Sequence, residues 1–174
     1  MSYKRTAYQR RNDFEESKEW EEEVRRHLPD YAIVRTDSTT ELDFFLPGLY
    51  LEAKEKKQPL TKRWHLFDGV QDRDLFVLDE LSLRKALVHA PYSYFVLRDI
   101  PGGERLFLAS AVEVAVAEKI RRNRVGKGKL ILDLRQFRQI ESLDWIMPSV
   151  IEDVQRFAWK QSACMTRGPE IRQV

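Results

Sequence analysis

Residues 41–57 read ELDFFLPGLYLEAKEKK, and this stretch decides the fold. Apolar and polar residues alternate on both sides of Pro47-Gly48, a dipeptide that is typical of turns. The pattern predicts two antiparallel strands, Leu42–Leu46 and Leu49–Glu55, joined as a hairpin. A two-residue loop pairs residue 46 with residue 49 and residue 45 with residue 50, and a symmetric four-residue loop keeps the same register.

The hairpin register places Asp43 directly opposite Glu52, with Lys54 on the same face of the strand. Opposed Cβ atoms in an antiparallel pair are about 4.5–5.5 Å apart, so two carboxylates at these positions repel each other. A hard divalent cation such as Mg²⁺ or Mn²⁺ reverses that cost. The lysine can then hold a water near the metal and offset charge on an attacked phosphate. The residues predict a metal site, and an exposed strand face with salt-bridged charges is the alternative.

The remaining sequence predicts an α/β protein with an α+β-like mixed sheet flanked by helices, because a leading meander of strands is followed by helices and further strands. The predicted helices cover Asp13–Leu28, Leu75–His89, Ser110 to about Arg122, and Pro148 to about Gln161. The other predicted strands cover Tyr31–Thr36, Tyr92–Arg98, Arg105–Ala109 and Lys129–Leu134.

Length and composition favour a single domain with a real core, since 43% of the 174 residues are hydrophobic. We expect a flexible basic arm at 1–12, one domain at 13–164 and a loose tail at 165–174. No apolar run approaches the roughly 20 residues that cross a bilayer, and the N-terminus lacks the apolar stretch of a secretory signal. The single cysteine, Cys164, fits a reducing compartment, so we expect a soluble cytoplasmic protein without a membrane partner.

The net charge of +2 does not indicate a nucleic-acid partner, but the distribution of charge is uneven. Basic residues cluster at Lys4–Arg11, Lys54–Arg63 and Lys119–Lys129, while acidic residues concentrate in Asp13–Glu23. Each cluster taken alone is explained by a solvated face. Together they are compatible with binding to a phosphate backbone.

The residues Asp43…Glu52-Ala53-Lys54 resemble the signature of the PD-(D/E)XK (restriction-endonuclease-like) nuclease superfamily. That signature is an acidic residue opening one strand, followed by Glu/Asp-x-Lys in the next strand. The family core has the order α-β-β-β-α-β, which matches the order predicted for residues 13–98. The resemblance therefore implies a restriction-endonuclease-like core with C-terminal strand and helix additions. Leu42 stands where the family often has proline.

The resemblance implies a Mg²⁺-dependent nuclease that hydrolyses phosphodiester bonds in DNA, with Mn²⁺ able to replace Mg²⁺. Asp43 and Glu52 would bind the metal, the carbonyl of Ala53 would be a further ligand, and Lys54 would orient the attacking water. The three histidines, His27, His65 and His89, lack the paired spacing of metal ligands.

Many members of the family carry a glutamate on the first helix, and Glu21 fits that pattern. It falls within the apolar stripe formed by Phe14, Val24 and Leu28, where an acid needs a partner such as a metal. The alternative is that Trp20 supplies the buried contact and Glu21 lies at the boundary. The runners-up on the same helix are Glu15 and Glu22.

Nucleic-acid contacts are expected from basic residues just beyond the second strand of the hairpin and, by family analogy, from a glutamine further on. These candidates are Lys56, Lys57, Lys62, Arg63, His65 and Gln71. DNA is the expected partner, with RNA as an alternative, and a role in DNA recombination or repair follows from analogy with Holliday-junction-resolvase-like or exonuclease-like members. Resolvase-like relatives act as dimers, which extends that analogy to a homodimer. The competing functions are a catalytically inactive nucleic-acid-binding module of the same fold and a structural or assembly protein.

Overall fold

The computed structural model describes the chain at residues 6–30, 32–34, 42–60, 69–124 and 127–166. Within these ranges, side chains are described except at residues 7–14, 16, 122–124, 127 and 157–166. Three of the predicted nucleic-acid contacts lie outside the described residues; they are Lys62, Arg63 and His65.

The described residues form four α-helices, nine strands and three short 3₁₀ turns. The helices are α1 (Ala7–Arg26), α2 (Glu80–Val88), α3 (Ala111–Val116) and α4 (Ile146–Thr166). The strands are β1 (Ile33–Val34), β2 (Phe44–Leu46), β3 (Leu49–Lys56), β4 (Leu75–Asp79), β5 (Ser93–Asp99), β6 (Arg105–Ser110), β7 (Lys119–Arg124), β8 (Lys127–Asp133) and β9 (Arg138–Ile140). The 3₁₀ turns cover Asp72–Asp74, Leu134–Gln136 and Leu143–Trp145.

The larger sheet has the strand order β1-β2-β3-β5-β6-β9. The meander β1-β2-β3 is antiparallel, β3 and β5 are parallel, and β6 is antiparallel to both β5 and β9. A parallel pair needs a crossover connection, and α2 lies in the segment between β3 and β5. The predicted mixed sheet with flanking helices, and with it the α/β class, is confirmed.

A second sheet of three strands, in the order β4-β8-β7, was not predicted. The predicted helix Leu75–His89 is wrong in its first part, because Leu75–Asp79 forms β4 and the helix begins only at Glu80. Leu75 and Phe76 are both buried, so this strand has apolar residues on both faces and lacks a clear period of two. Its antiparallel pairing with β8 makes this segment a strand and not a helix.

Three other helix boundaries also differ from the predictions. Helix α1 begins at Ala7, so part of the predicted flexible arm is helical. Helix α3 opens on the predicted capping box of Ser110 and Glu113 but ends at Val116, because the residues that follow pair with β8 as strand β7. Helix α4 extends to Thr166, into the predicted tail. None of the described helices combines the length and the apolar character needed to cross a membrane.

One face of the larger sheet packs against α1 and α4. Trp20 and Val24 of α1 recur at helical spacing and are buried, as are Ile146 and Val150 of α4. They contact an apolar sheet surface made by Phe44, Leu46, Leu51, Ala53, Val96 and Leu108. Full burial of one such aliphatic or aromatic side chain stabilises a fold by about 1.5–3 kcal/mol, so this layer anchors the first helix on the hairpin.

The opposite face of the larger sheet packs against α2, α3 and the smaller sheet. This cluster includes Phe95, Leu97 and Phe107 from the larger sheet and Phe76, Leu78, Leu130 and Leu132 from the smaller one. Glu52 is paired with Phe95, and Lys54 with Leu97, in the parallel register of β3 and β5. Paired residues point to the same face, so the predicted site residues of β3 lie on the side covered by α2.

Candidate active site

The hairpin of β2 and β3 has the predicted register, with Phe44 paired to Leu51 and Phe45 paired to Tyr50. Its turn is made by Pro47 and Gly48, and Gly48 has a φ of 77°. This left-handed conformation is the one that the third residue of a type II turn requires, and glycine adopts it without steric cost.

Asp43 precedes β2 by one residue, and one further step of the register sets it against Glu52. Both side chains are buried, with exposed fractions of 3% for Asp43 and 1% for Glu52. The backbone N–H of Ala53 donates a hydrogen bond of 2.8 Å to Asp43 Oδ2, which fixes this carboxylate against β3. The structure therefore brings the two predicted acids together in the interior.

The ammonium of Lys54 lies where three oxygen atoms converge. Its Nζ is 2.8 Å from Glu52 Oε1 and 3.5 Å from Asp43 Oδ2. It also donates a hydrogen bond of 3.1 Å to the carbonyl oxygen of Ala53. These three oxygens belong to the residues predicted as metal ligands, so in this structure a positive charge lies between them.

The electrostatic environment keeps Lys54 protonated. Burial alone would lower its pKa, but the negative charges of Asp43 and Glu52, a hydrogen bond to Glu52 and the charge of Glu21 outweigh burial and raise the pKa above its usual value. At neutral pH the side chain is therefore a hydrogen-bond donor. It can orient a water or bind a phosphate oxygen, but it cannot accept a proton.

The second carboxylate oxygen of Glu52, Oε2, is buried and has no hydrogen-bond partner. Lys85 of α2 brings its ammonium to 3.6 Å from this oxygen, which gives an ion pair without a hydrogen bond. Sequence reasoning missed Lys85. The available signal was its position on α2 between the buried residues Leu83 and Ala86, where a lysine stem turns inward.

Glu21 lies at the boundary of the core, because the buried position on α1 belongs to its neighbour Trp20. Its charge nevertheless acts on Lys54, so it is near the two acids of the hairpin. The runners-up Glu15 and Glu22 are exposed, and Glu22 pairs with Arg26 along the helix at 3.8 Å. Glu21 therefore has an electrostatic link to the hairpin through Lys54.

Lys56 is part of the interior and not of an exposed basic surface. Its Nζ is 2.8 Å from Asp99 Oδ1 and donates a hydrogen bond of 3.1 Å to the carbonyl of Arg73. Arg105 binds the same partners, donating to Asp99 Oδ2 and to the Arg73 carbonyl at 2.5 Å each. This network joins the end of β3 to the turn before β4. Because its ammonium is buried, Lys56 is not placed to make the predicted backbone contact with nucleic acid.

Two further predicted contacts are at the surface. Lys57 is exposed and forms an ion pair of 3.2 Å with Glu55. Gln71 is exposed and has extended backbone angles directly before the 3₁₀ turn Asp72–Asp74. It therefore does not lie on a helix, which is where the family analogy would place a functional glutamine.

The donor set suits a hard divalent cation such as Mg²⁺, since it consists of carboxylate and carbonyl oxygens. The buried Glu52 Oε2, which lacks a hydrogen-bond donor, is an oxygen that such an ion could satisfy. Within the part of the chain that the structure describes, no group of three or more His, Cys, Asp or Glu side chains is arranged to hold a metal ion. Asp43 and Glu52 are two side chains, so the set would be completed by the Ala53 carbonyl and by water.

Comparison with known proteins gives no match among family models, curated proteins or solved structures.

Proposed function

We propose that this chain is a metal-dependent nuclease that hydrolyses phosphodiester bonds in DNA, with Asp43 and Glu52 as the metal-binding side chains. The observation that carries the proposal is the convergence of Asp43 Oδ2, Glu52 Oε1 and the Ala53 carbonyl on one point, marked by the ammonium of Lys54 at 3.5, 2.8 and 3.1 Å. Two buried carboxylates on adjacent strands repel each other unless a cation lies between them.

The order of elements supports the same proposal. Helix α1, the antiparallel meander β1-β2-β3, helix α2 and the parallel strand β5 follow one another in the order of the PD-(D/E)XK core. Strand β4 is an addition between β3 and α2, and it pairs in the smaller sheet without interrupting the larger one. Asp43 lies directly before the second strand of this order, and Glu52 and Lys54 lie on the third.

Each residue then has a distinct role. Asp43 and Glu52 would hold Mg²⁺, which would supply Lewis-acid chemistry at the phosphate and at a water. Both carboxylates are fixed by burial, and that of Asp43 also accepts the hydrogen bond from Ala53 N–H. Lys54 donates hydrogen bonds to the attacking water and offsets charge that builds on the phosphate. Glu21 adds negative charge at the edge of the site.

The test is DNA cleavage by wild-type protein and by Asp43→Asn and Glu52→Gln, which remove one charge each while keeping side-chain size. Both variants should lose activity by a factor of about 100 or more, and EDTA should abolish cleavage by the wild type. A panel of single-stranded, duplex, flapped and four-way-junction DNA, with RNA alongside, defines the substrate. Mn²⁺ should replace Mg²⁺.

The matched control is Glu55→Gln, the same chemical change on the same strand. Glu55 points to the other face of β3, where it pairs with Arg98 at 3.5 Å. The Glu55→Gln variant should cut DNA at the wild-type rate. Cleavage by Asp43→Asn at the wild-type rate, or full activity in EDTA, would contradict the proposal.

A second candidate function is a nucleic-acid-binding module without catalysis. It is favoured by one observation, namely that Lys54 and Lys85 already provide two positive charges beside Glu52. Such a protein would bind DNA in EDTA and in Mg²⁺ alike and would cut in neither. Failure to bind DNA or divalent metal at all would instead favour a structural or assembly role.

A further inference from the structure

Three aromatic rings form a continuous row on the hairpin and at the end of α2. The ring centroids of Phe45 and Tyr50 are 5.0 Å apart. Tyr50 in turn stacks on His89, with centroids 3.7 Å apart and ring planes inclined by 14°. All three side chains are half-buried, so part of each is open to solvent.

This aromatic row adjoins the two acids on the same face of the hairpin. Tyr50 precedes Glu52 by two residues, Phe45 follows Asp43 by two, and the register pairs Phe45 with Tyr50. Residues two apart on a strand share a face and are separated by about 7 Å. Successive nucleotides of a strand advance by about 3.4 Å along a nucleic-acid helix, so a base next to a phosphate held at the proposed metal site could reach these rings.

The backbone holds the stacked pair in place. The N–H of Tyr50 donates a hydrogen bond of 2.9 Å to the carbonyl of Tyr92, and the N–H of Tyr92 donates one of 3.0 Å to the carbonyl of His89. The turn that carries His89 is therefore tied directly to the strand that carries Tyr50. A preorganised stack loses less conformational entropy when a further ring binds to it.

We infer that the aromatic row stacks an unpaired base beside the scissile phosphate, and that the substrate is single-stranded DNA or the single-stranded part of a flap. The inference rests on the proposed nuclease function. Aromatic side chains bind unpaired bases of any sequence through their π-faces, whereas bases within a continuous duplex are already stacked on their neighbours. The metal that the two acids would hold would bind the phosphate, and the aromatic rings would bind the unpaired base next to it.

The binding test uses fluorescence anisotropy in EDTA, with a labelled single-stranded dA oligonucleotide and a blunt duplex of the same length. Tyr50→Leu and His89→Leu keep apolar bulk but remove the flat ring. Each should weaken binding of the single strand by about 5- to 150-fold and leave the weak duplex binding nearly unchanged. Tyr50→Phe keeps the ring and should bind like the wild type.

The matched control is Tyr92→Leu. Tyr92 is another partly exposed tyrosine of the same turn, but it lines a different cavity with Val112 and Asp153. The Tyr92→Leu variant should bind single-stranded DNA with wild-type affinity. Thermal unfolding of each variant shows which ones are folded, and His89→Leu carries the test if Tyr50→Leu does not fold.

A cleavage assay in Mg²⁺ with single-stranded, flapped and duplex DNA separates this inference from the proposed function. Preferential cutting of single strands and flaps that is lost in Tyr50→Leu and His89→Leu supports it. If the wild type cuts DNA but binds and cuts duplex as well as single strands, or if the two leucine variants keep wild-type affinity, the inference is wrong and the nuclease proposal stands. If the wild type neither binds nor cuts any DNA, both are wrong.

Discussion

Replacing Lys54 by methionine tests whether the two acids of the hairpin need a cation to remain buried. Asp43 and Glu52 have exposed fractions of 3% and 1%, and Lys54 Nζ lies 3.5 and 2.8 Å from their oxygens. Methionine has a similar length but no charge. In EDTA the variant would leave two adjacent carboxylates without their shared ammonium, and their mutual repulsion would act in the folded state only.

The expected loss can be estimated from this geometry. Removing one partner of a buried ion pair costs about 3–5 kcal/mol. The lower end applies here, because the Lys54 side chain is 30% exposed and Lys85 remains 3.6 Å from Glu52. We expect a decrease of about 3 kcal/mol in the free energy of unfolding. For a chain of this length, that corresponds to a decrease of about 6–12 °C in Tm.

Urea unfolding followed by circular dichroism, in EDTA and then in Mg²⁺, measures the effect. At a Mg²⁺ concentration of about 100 times the Kd for the folded state, the free energy of unfolding of Lys54→Met should rise by about 2.7 kcal/mol. The control is Lys57→Met, which removes an exposed lysine from its pair with Glu55 and should cost less than about 1 kcal/mol. A Lys54→Met variant as stable as the wild type in EDTA would refute the electrostatic argument. A variant that is destabilised but unaffected by Mg²⁺ would refute the metal site.

Three further predictions concern other charged groups. Lys56→Met should lower the free energy of unfolding by about 2–4 kcal/mol, because it leaves buried Asp99 with Arg105 alone; urea unfolding measures this. Lys85→Met should lower the Mg²⁺ concentration needed for half-maximal cleavage, since it removes a positive charge that repels the metal near Glu52 Oε2. Burial alone would raise the pKa of Asp133, but hydrogen bonds from Arg135 outweigh burial and lower this pKa below its usual value. Its contribution to stability is therefore present above its ordinary pKa of 3.8 and lost as the pH falls through the lowered value, so the stability difference between wild type and Asp133→Asn should shrink in acid urea unfolding.

The hairpin could be predicted from sequence because its determinants are local. Pro47-Gly48 fixes the turn, and the alternation around it fixes which residues share a face. Asp43, Glu52 and Lys54 all lie within this one supersecondary unit, so their proximity needed no information about the rest of the chain. The confirmed capping box at Ser110 is local in the same sense, since its partner Glu113 is three residues further on, in the first turn of the helix.

The misplaced elements depend on contacts between distant residues. Leu75–Asp79 became a strand because β8, more than 40 residues further along the chain, pairs with it. The segment Lys119–Arg124 left its predicted helix for the same reason. Lys56 was expected to contact nucleic acid because it lies just beyond the predicted second strand of the hairpin, but its partner Asp99 lies on a strand that the sequence does not align with it. Pattern reasoning identifies a face and does not show which element covers it.

The charged groups around the hairpin bear on the choice between the proposed metal site and a purely structural ion-pair network. Asp43, Glu52 and Glu21 contribute three negative charges to the field around Lys54, while Lys54 and Lys85 supply two positive charges. In the proposed metal site these lysines would leave one acceptor for a further cation, because Glu52 Oε2 is buried and accepts no hydrogen bond. A network selected only for stability would gain by being neutral, or by being replaced with apolar residues of similar volume. The two lysines explain how the acids remain buried without a metal, and the proposed metal would bind at the Glu52 oxygen that accepts no hydrogen bond.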